Sequence, residues 1–268
     1  MIVFFSGTGN SRHIASQLAQ GLGETPCEIC RTDPTRLEFS GKSFGIILPV
    51  YAWGIPPLAG EWLRRLSPAF VSELISRGTY IWVILTCGDE TGMAPEMLQD
   101  VLEERGLRPS AMWSVITPNV YVLLPGFDVD PQETQQKKLA LMERRIGEIR
   151  EAVSREKRVI DVFYGSFPKM KTRLVYPLFK RWGIRASKWL ATEKCTGCGA
   201  CVKACPMDNI TLWRNRPTWG GNCVSCLGCY HRCPVNAVQY GSVTKHKGQC
   251  YFRFPKAESI SLSSERKD

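Results

Sequence analysis

The sequence predicts an α/β protein in two parts: a doubly wound five-stranded parallel sheet, then a small C-terminal α+β domain. Three observations predict it. Short apolar runs alternate with helical patterns over residues 1–156. Two of those runs are apolar throughout, as strands covered on both faces are. Eight of the twelve cysteines fall between Cys195 and Cys233, in two copies of one pattern, which marks an internal duplication.

The strand candidates are Ile2–Phe5, Cys27–Cys30, Phe44–Val50, Tyr80–Thr86 and Trp113–Thr117, bounded by Gly, Pro, Asp or Ser. Between them Ile14, Leu18 and Leu22 share one helical face; Leu58, Trp62, Leu63 and Leu66 share another after Pro57; Met97, Leu98, Val101 and Leu102 follow, with Gly106 as a stop. The last helix repeats Leu139, Met142, Ile146, Ile149 and Val153 at steps of three and four. Its start offers Asp130 as N-cap, Pro131 at the first position and Glu133 for a capping box. Strands alternating with helices close into a parallel sheet, and right-handed crossovers leave few orders, 2-1-3-4-5 among them. The expected layout is a sheet domain over residues 1–158, a basic and aromatic connector over 159–191, a cysteine domain over 192–247 and a tail over 248–268 that is polar and frayed.

A chain of 268 residues, 44% hydrophobic and 22% charged, is ample for a buried core and is not disordered in bulk. Its longest apolar run, near Ile46–Trp53, is far shorter than the roughly 20 residues of a spanning helix. The N-terminus lacks the basic and apolar regions of a signal peptide, so a cytoplasmic location is expected. Cysteines clustered in such a chain point to metal rather than disulfides.

The first cysteine run is Cys195-x2-Cys198-x2-Cys201-x3-Cys205-Pro206, and it recurs 28 residues later as Cys223-x2-Cys226-x2-Cys229-x3-Cys233-Pro234. Three cysteines on a tightly curled loop can face three irons of one cubane, whereas the fourth, on the following helix, reaches the cluster of the other repeat. Cys195, Cys198, Cys201 and Cys233 should therefore hold one 4Fe–4S cluster, and Cys223, Cys226, Cys229 and Cys205 the second. Structural zinc, the competing reading, uses paired Cys-x2-Cys rather than a triple run with a trailing Cys-Pro. Over about 50 residues, including Cys205-Pro-Met-Asp-Asn-Ile and Cys233-Pro-Val-Asn-Ala-Val, the segment resembles bacterial two-cluster ferredoxins. That resemblance implies clusters of low potential.

The turn Phe5-Ser6-Gly7-Thr8-Gly9-Asn10-Ser11 follows the first strand and opens the first helix. Its glycines let backbone N–H groups face inward, and the helix N-terminus adds unpaired donors and a positive dipole end. Ser6, Thr8, Asn10 and Ser11 add side-chain donors, making a phosphate cradle that needs no Lys or Arg. It is neither a Walker A loop nor a GxGxxG fingerprint. Ser6–Ser11 matches the Ser/Thr-x-Thr-Gly-x-Thr/Ser loop of flavodoxins, so the N-terminal half resembles that family. The resemblance implies FMN. Tyr51 and Trp53 in the loop Tyr51-Ala52-Trp53-Gly54 are then expected against the flavin ring. The loop Thr86-Cys87-Gly88-Asp89-Glu90-Thr91-Gly92, with Thr86 to Asp89 nearest, is expected to supply backbone donors at the ring's polar edge, and Asn119 and Tyr121 to close over it. Flavodoxin followed by ferredoxin also resembles a fusion family of anaerobic bacteria and archaea, over nearly the whole chain, whose members are taken as electron-transfer proteins.

Smaller features have plainer expectations. Cys27 and Cys30, three apart on a strand, should point to opposite faces. Cys87 is expected as a small buried residue and Cys250 as a lone thiol. His13 is expected at the surface, and His231 is not expected as a ligand. Residues 159–191 interleave Lys and Arg with aromatics. Because Pro168 and Pro177 should interrupt a long helix, this connector is expected to dock the two domains and to meet an acidic redox partner, without membrane contact. The formal charge of +10 falls to about +4 once two clusters and a phosphate are counted, and no nucleic-acid module is present. The function expected is electron transfer between two 4Fe–4S clusters and FMN. No side chain stands out as a general acid or base. Two other functions stay open: an FMN-dependent reductase of a small acceptor such as a quinone, and a redox sensor or scaffold.

Overall fold

The computed structural model describes residues 1–124 and 126–252. The polar stretch of the tail lies outside the described residues.

The N-terminal half is built on a parallel sheet of strands β1 (Ile2–Phe4), β2 (Pro26–Glu28), β3 (Ser43–Pro49), β4 (Tyr80–Cys87), β5 (Ala111–Ile116) and β6 (Val159–Asp161), in the order β2-β1-β3-β4-β5-β6. The first five follow the expected flavodoxin-like order. The sixth is an addition: Val159 pairs with Ala111 and Asp161 with Trp113, so the start of the connector belongs to the sheet. Three residues are too few to display an alternating pattern.

Strand residues alternate between two cores. Val3, Ile46, Leu48, Val83 and Leu85 face helices α2 (Pro57–Arg64), α3 (Pro68–Ser76) and α4 (Ala94–Glu103). Ile2, Phe4, Ile47, Trp82 and Ile84 face α1 (Asn10–Leu22) and α5 (Gln132–Ser154). The pattern that ran to Leu66 is broken, because Ser67 caps α3 by accepting the Phe70 N–H at 3.1 Å and Pro68 opens it.

Three expectations change. Pro131, not Asp130, precedes α5, and no side chain caps it; the Asp130 carboxylate is taken instead by the Asn119 N–H and Lys138. Cys30 lies in a 3₁₀ turn, Ile29–Arg31, so the alternation of a strand does not govern it. His13 is 4% exposed, packed between Glu143 and the Phe252 ring, rather than at the surface.

After β6 comes α6 (Pro168–Leu178), which runs through Pro177 and continues as a π turn over Phe179–Gly183. The cysteine domain follows: β7 (Trp189–Ala191), α7 (Ala200–Lys203), the hairpin β8 (Ile210–Trp213) and β9 (Arg216–Trp219), α8 (Gly228–His231) and β10 (Val238–Tyr240). β10 returns antiparallel to β7. Its core takes in Val122 and Leu123, which come from the loop after β5. The two halves thus share a core rather than hang on a tether. Among the described residues no helix is long and apolar enough to cross a membrane.

One close contact sets the spacing of the central strands. Gly45 on β3 is paired with Trp82 on β4, and a Cβ there would collide with the fully buried indole, whose N–H donates to Ser43 Oγ at 3.0 Å. Gly45→Ala is expected to destabilise the fold by about 1–3 kcal/mol through overpacking, read as a lower urea midpoint with an unchanged slope. An unchanged midpoint would show that the indole moves aside freely.

Candidate functional site

The carboxyl ends of β1, β3, β4 and β5 meet at one edge, where the order reverses between β1 and β3, the place at which open α/β sheets bind ligands. The turn between β1 and α1 is held open there by its own chemistry. Gly9 stands at φ 105°, a left-handed value that suits glycine, and its N–H donates to Ser6 Oγ at 3.2 Å. Ser11 Oγ bonds Thr86 Oγ1 at 2.9 Å, pinning the turn to the end of β4. The first helical bond is His13 N–H to Gly9 O, so the N–H groups of Asn10 and Ser11 have no backbone acceptor among the described residues. They face a cavity of about 100 Å³ lined by Ser6, Gly7, Thr8, Asn10 and Ser11, with Tyr51, Thr86, Cys87 and Gly88, and Asn119 and Tyr121 around it. No Lys or Arg lines it, so an anion there would be held by N–H donors, hydroxyls and the helix dipole.

This cavity opens into a wider one of about 660 Å³, sharing Val50, Cys87, Gly88, Asn119 and Tyr121 with it. Ala52, Trp53 and Asp89, expected with the others, line only the wider space. Two expected residues line neither: Gly9 is covered by Phe252, and Gly54 lies under the Tyr176 ring, where a Cβ would come within 2.5 Å.

The turn Tyr51–Gly54 is closed by two backbone bonds, at 2.8 and 2.9 Å, with Ala52 at φ 47° and Trp53 at φ 61°. Two successive non-glycine residues in the left-handed region cost of order 1–3 kcal/mol each, and such strain gathers at functional sites. Surrounding contacts hold it. Trp53 Nε1–H donates to Glu90 at 2.6 Å, Thr172 Oγ1–H to Trp53 O at 2.7 Å, and Lys171 pairs with Glu90 while lying 5.6 Å over the indole. Tyr51 presents its edge to Phe5 and Phe179, at 6.1 and 6.0 Å, and its hydroxyl is pushed well above the usual range by burial and by the thiols Cys226, Cys30 and Cys223. It lines the narrow cavity together with Cys226 of the cysteine domain.

A charged knot ties the other two loops together. Asp130 accepts from Asn119 N–H at 2.8 Å and pairs with Lys138 at 2.9 Å; Lys138 also reaches Asp89 at 3.1 Å and Gly88 O at 2.7 Å. Burial raises the Asp130 pKa, but the Asn119 and Lys138 hydrogen bonds outweigh it and leave it lowered. Cys87 is buried as expected, its thiol pushed up to about 12 chiefly by burial.

The eight clustered thiols gather into two sets, each mixing the repeats. One cavity is lined by Cys195, Cys198, Cys201 and Cys233, the other by Cys205, Cys223, Cys226 and Cys229. Burial raises the pKa of Cys201, with Cys233 and Cys195 adding to it; burial does the same for Cys229, with Cys226, Cys223 and Cys205 adding. Among the described residues no three or more His, Cys, Asp or Glu side chains converge enough to hold a single ion. The thiols stand around a space instead. Equivalent amides point at sulfur in both repeats: Asn209 N–H at Cys205 Sγ, 3.3 Å, and Ala237 N–H at Cys233 Sγ, 3.1 Å. The second set alone has two indoles. Trp189 lies beside Cys223 and Trp219 beside Cys229, and neither buried indole N–H has a hydrogen-bond partner among the described residues.

The second set abuts the turn. Cys226 lines the narrow cavity. A Cβ on Gly7 would strike the Cys226 carbonyl, and one on Gly228 would lie 2.7 Å from Gly7 O. His231, 5% exposed, donates from Nε2 to Val120 O at 2.7 Å and accepts the Cys250 N–H at Nδ1, 3.1 Å; burial lowers its pKa to about 4 and keeps it neutral. Cys250 Sγ in turn lies 3.2 Å from Gln135 Oε1. Phe252 N–H donates to Thr8 O at 3.0 Å. Cys226 was expected as a cluster ligand and Glu90 as part of the loop after β4, but sequence reasoning missed Lys138 and the connector residues Lys171, Phe179 and Trp182 as neighbours of the site; none of these four carries a local signal, since long-range folding alone brings them there.

Residues 194–238 match the 4Fe-4S dicluster domain family. No curated protein matches the chain. Among solved structures, rubredoxin oxygen:oxidoreductase from the anaerobe Desulfovibrio gigas aligns at 12% identity and TM-score 0.36, over 56% of this chain and 36% of that one. The Trp repressor binding protein of Bacillus subtilis aligns at 15% identity and TM-score 0.36, over 53% of this chain and 94% of that one. The chain thus spans little more than a third of the first of these proteins. Sheet order and cysteine pattern together define a flavodoxin-like domain followed by a 4Fe–4S dicluster domain.

The charged knot makes a pH-dependent contribution to stability. A carboxyl with a lowered folded-state pKa stabilises the fold above its unfolded value, 3.8, and that contribution is lost as pH falls. Asp130→Asn is expected to lose about 2 kcal/mol at neutral pH and to show a shallower decline in stability below about pH 4. Urea titrations at several pH values would show it; parallel wild-type and variant curves would sink the assignment.

Proposed function

We propose that the protein transfers electrons between two 4Fe–4S clusters and an FMN lying across the joined cavities, its phosphate at Ser6–Ser11 and its ring in the wider space. The observation that carries this is Cys226, which lines the cavity of the turn and belongs to the thiol set around the second cluster. Donor and acceptor sites then share a wall.

The residues present fit FMN. Unpaired N–H groups at the head of α1 suit a phosphate dianion, and the wide cavity, walled by Trp53, Tyr121, Phe179, Trp182 and Tyr240, suits a planar aromatic ring. Bound there, FMN supplies a two-electron carrier beside clusters that take one electron each. Cys195, Cys198, Cys201 and Cys233 would hold the first cluster, and Cys205, Cys223, Cys226 and Cys229 the second. Cys198 is exposed, so the first cluster is where a partner protein would exchange electrons. Lys203 lies beside that thiol, which favours an acidic partner. The breadth and apolar walls of the wider cavity favour, as a second reading, reduction of a small planar acceptor next to the ring.

Purification without oxygen, with iron counted and released flavin identified, tests this. Eight irons and one FMN per chain are expected. A full iron complement without flavin would overturn the flavin half. Ser11→Val is expected to weaken flavin retention about tenfold or more, the loss of one hydrogen bond and its geometry, with iron unchanged. The indoles give a separate expectation. N–H donors at sulfur favour the more negative, reduced cluster and raise its potential. Trp219→Phe should therefore lower the potential of one cluster by on the order of tens of millivolts, seen in an EPR-monitored titration. A shift in neither cluster, or in both equally, would reject that role.

A further inference from the structure

The geometry points to helix α6 as a docking ridge for an anionic membrane surface. Phe167, Met170, Leu174, Leu178 and Trp182 recur at steps of three and four residues and stand 72, 53, 62, 50 and 48% exposed. Spacing of that kind ordinarily marks a helix face turned to a core. Here the core-facing side is a different one. Thr172 bonds Trp53 O, Tyr176 OH donates to Ile55 O at 2.6 Å, and Phe179 is buried. The helix is therefore apolar twice over, once inward and once to solvent, and continuous exposed patches of this size mark contact surfaces.

The ridge stays continuous because Pro177 does not end the helix and the π turn carries it on to Trp182. Over the sixteen residues from Phe167 to Trp182 it extends roughly 22 Å at the helical rise. Leu178 and Trp182 also line the wide cavity, together with Leu124 and Phe127, 44 and 43% exposed.

Charge decides what covers it. From Val162 to Thr192 the chain has seven Lys and Arg and no Asp or Glu. Lys169, Arg173 and Lys180 are exposed along one flank of the ridge and Arg181 lies near its end. Long basic side chains beside an apolar stripe, with Trp at one end, suit the headgroup layer: stems against acyl chains, charges at phosphate. Since no described helix can span a bilayer, the contact is a docking in the interface plane. It departs from the expectation drawn from the connector's prolines. Phe167, Met170 and Leu174 lie outside the wide cavity, so the docking does not depend on the flavin reading.

The test uses the full chain purified without oxygen, with its iron. Sedimentation with phosphatidylcholine vesicles is compared with vesicles containing about a third phosphatidylglycerol. Binding to the anionic vesicles at least about tenfold tighter, weakened by salt, is expected. Leu174→Glu should cut that binding about tenfold or more with iron content and circular dichroism unchanged. The Arg173→Gln, Lys180→Gln double variant should weaken binding to anionic vesicles alone. The proposal is overturned if the wild-type protein does not bind anionic vesicles. It is equally overturned if Leu174→Glu binds as well as wild type, which would mean adsorption by charge only. Concentration-dependent dimerisation that Leu174→Glu abolishes, without vesicle binding, would assign the ridge to a second copy of the chain.

Discussion

The arrangement depends on one steric fact: the turn after β1 and the second cysteine loop touch backbone to backbone. Gly7 and Gly228 permit it, since a side chain at either would push a main-chain carbonyl away. Because the contact is made by backbone, the separation between the two sites is set by chain geometry and not by flexible side chains. Interiors packed at crystal-like density change shape in steps rather than by drift, so a gap fixed this way stays fixed. For the electron exchange proposed above, which depends steeply on separation, a rigid shared wall matters more than affinity for either group.

Other contacts hold that wall. Val122 and Leu123 leave the sheet domain and enter the core of the cysteine domain. Neutral His231 joins the loop after β5 to the segment before Phe252, using both ring nitrogens. Arg31 pairs with Asp208 through both guanidinium nitrogens from the other side. The exposed ion pair contributes little on its own; the buried apolar residues and the satisfied imidazole supply most of the docking. The strained turn at Ala52 and Trp53 is sustained by the same junction, because Thr172 and Lys171 come from the connector.

Much of this was legible in the sequence, for definite reasons. Periodicity reports burial on two faces, so β3 and β4 were plain and so was the order of the sheet. Spacing reports ligand geometry, so the two mixed thiol sets were already written in two runs of cysteines. Local glycine and hydroxyl chemistry located the Ser6–Ser11 turn. What could not be read was anything made by distant parts meeting. β6 is three residues long and is defined by its neighbour β5. Asp130 looks like a helix cap in one dimension and is a partner of Lys138 in three. Tyr51 could be named from its own loop, but its neighbours Phe179 and Cys226 come from distant parts of the chain. Pro177 was expected to break a helix that tertiary contacts at Tyr176 and Phe179 hold together.

The two cysteine runs are near copies, yet the fold makes their surroundings unequal. The first set keeps Cys198 at the surface, where the Ala200 amide and Thr196 lower the thiol pKa in spite of what burial remains. The second set is enclosed between the domains, with stacked Trp189 and Trp219 on one side, 6.4 Å apart, and Tyr51 on another. Burial alone disfavours extra negative charge and would make the enclosed site harder to reduce. Buried indole N–H groups beside its sulfurs, with no partner of their own among the described residues, are the donors available to oppose that penalty. Duplication supplies two equivalent sites, and equivalence gives an electron no preferred end. A polar donor placed at one site and not the other is the least change that breaks the tie, and both indoles stand at the site nearest the sheet domain.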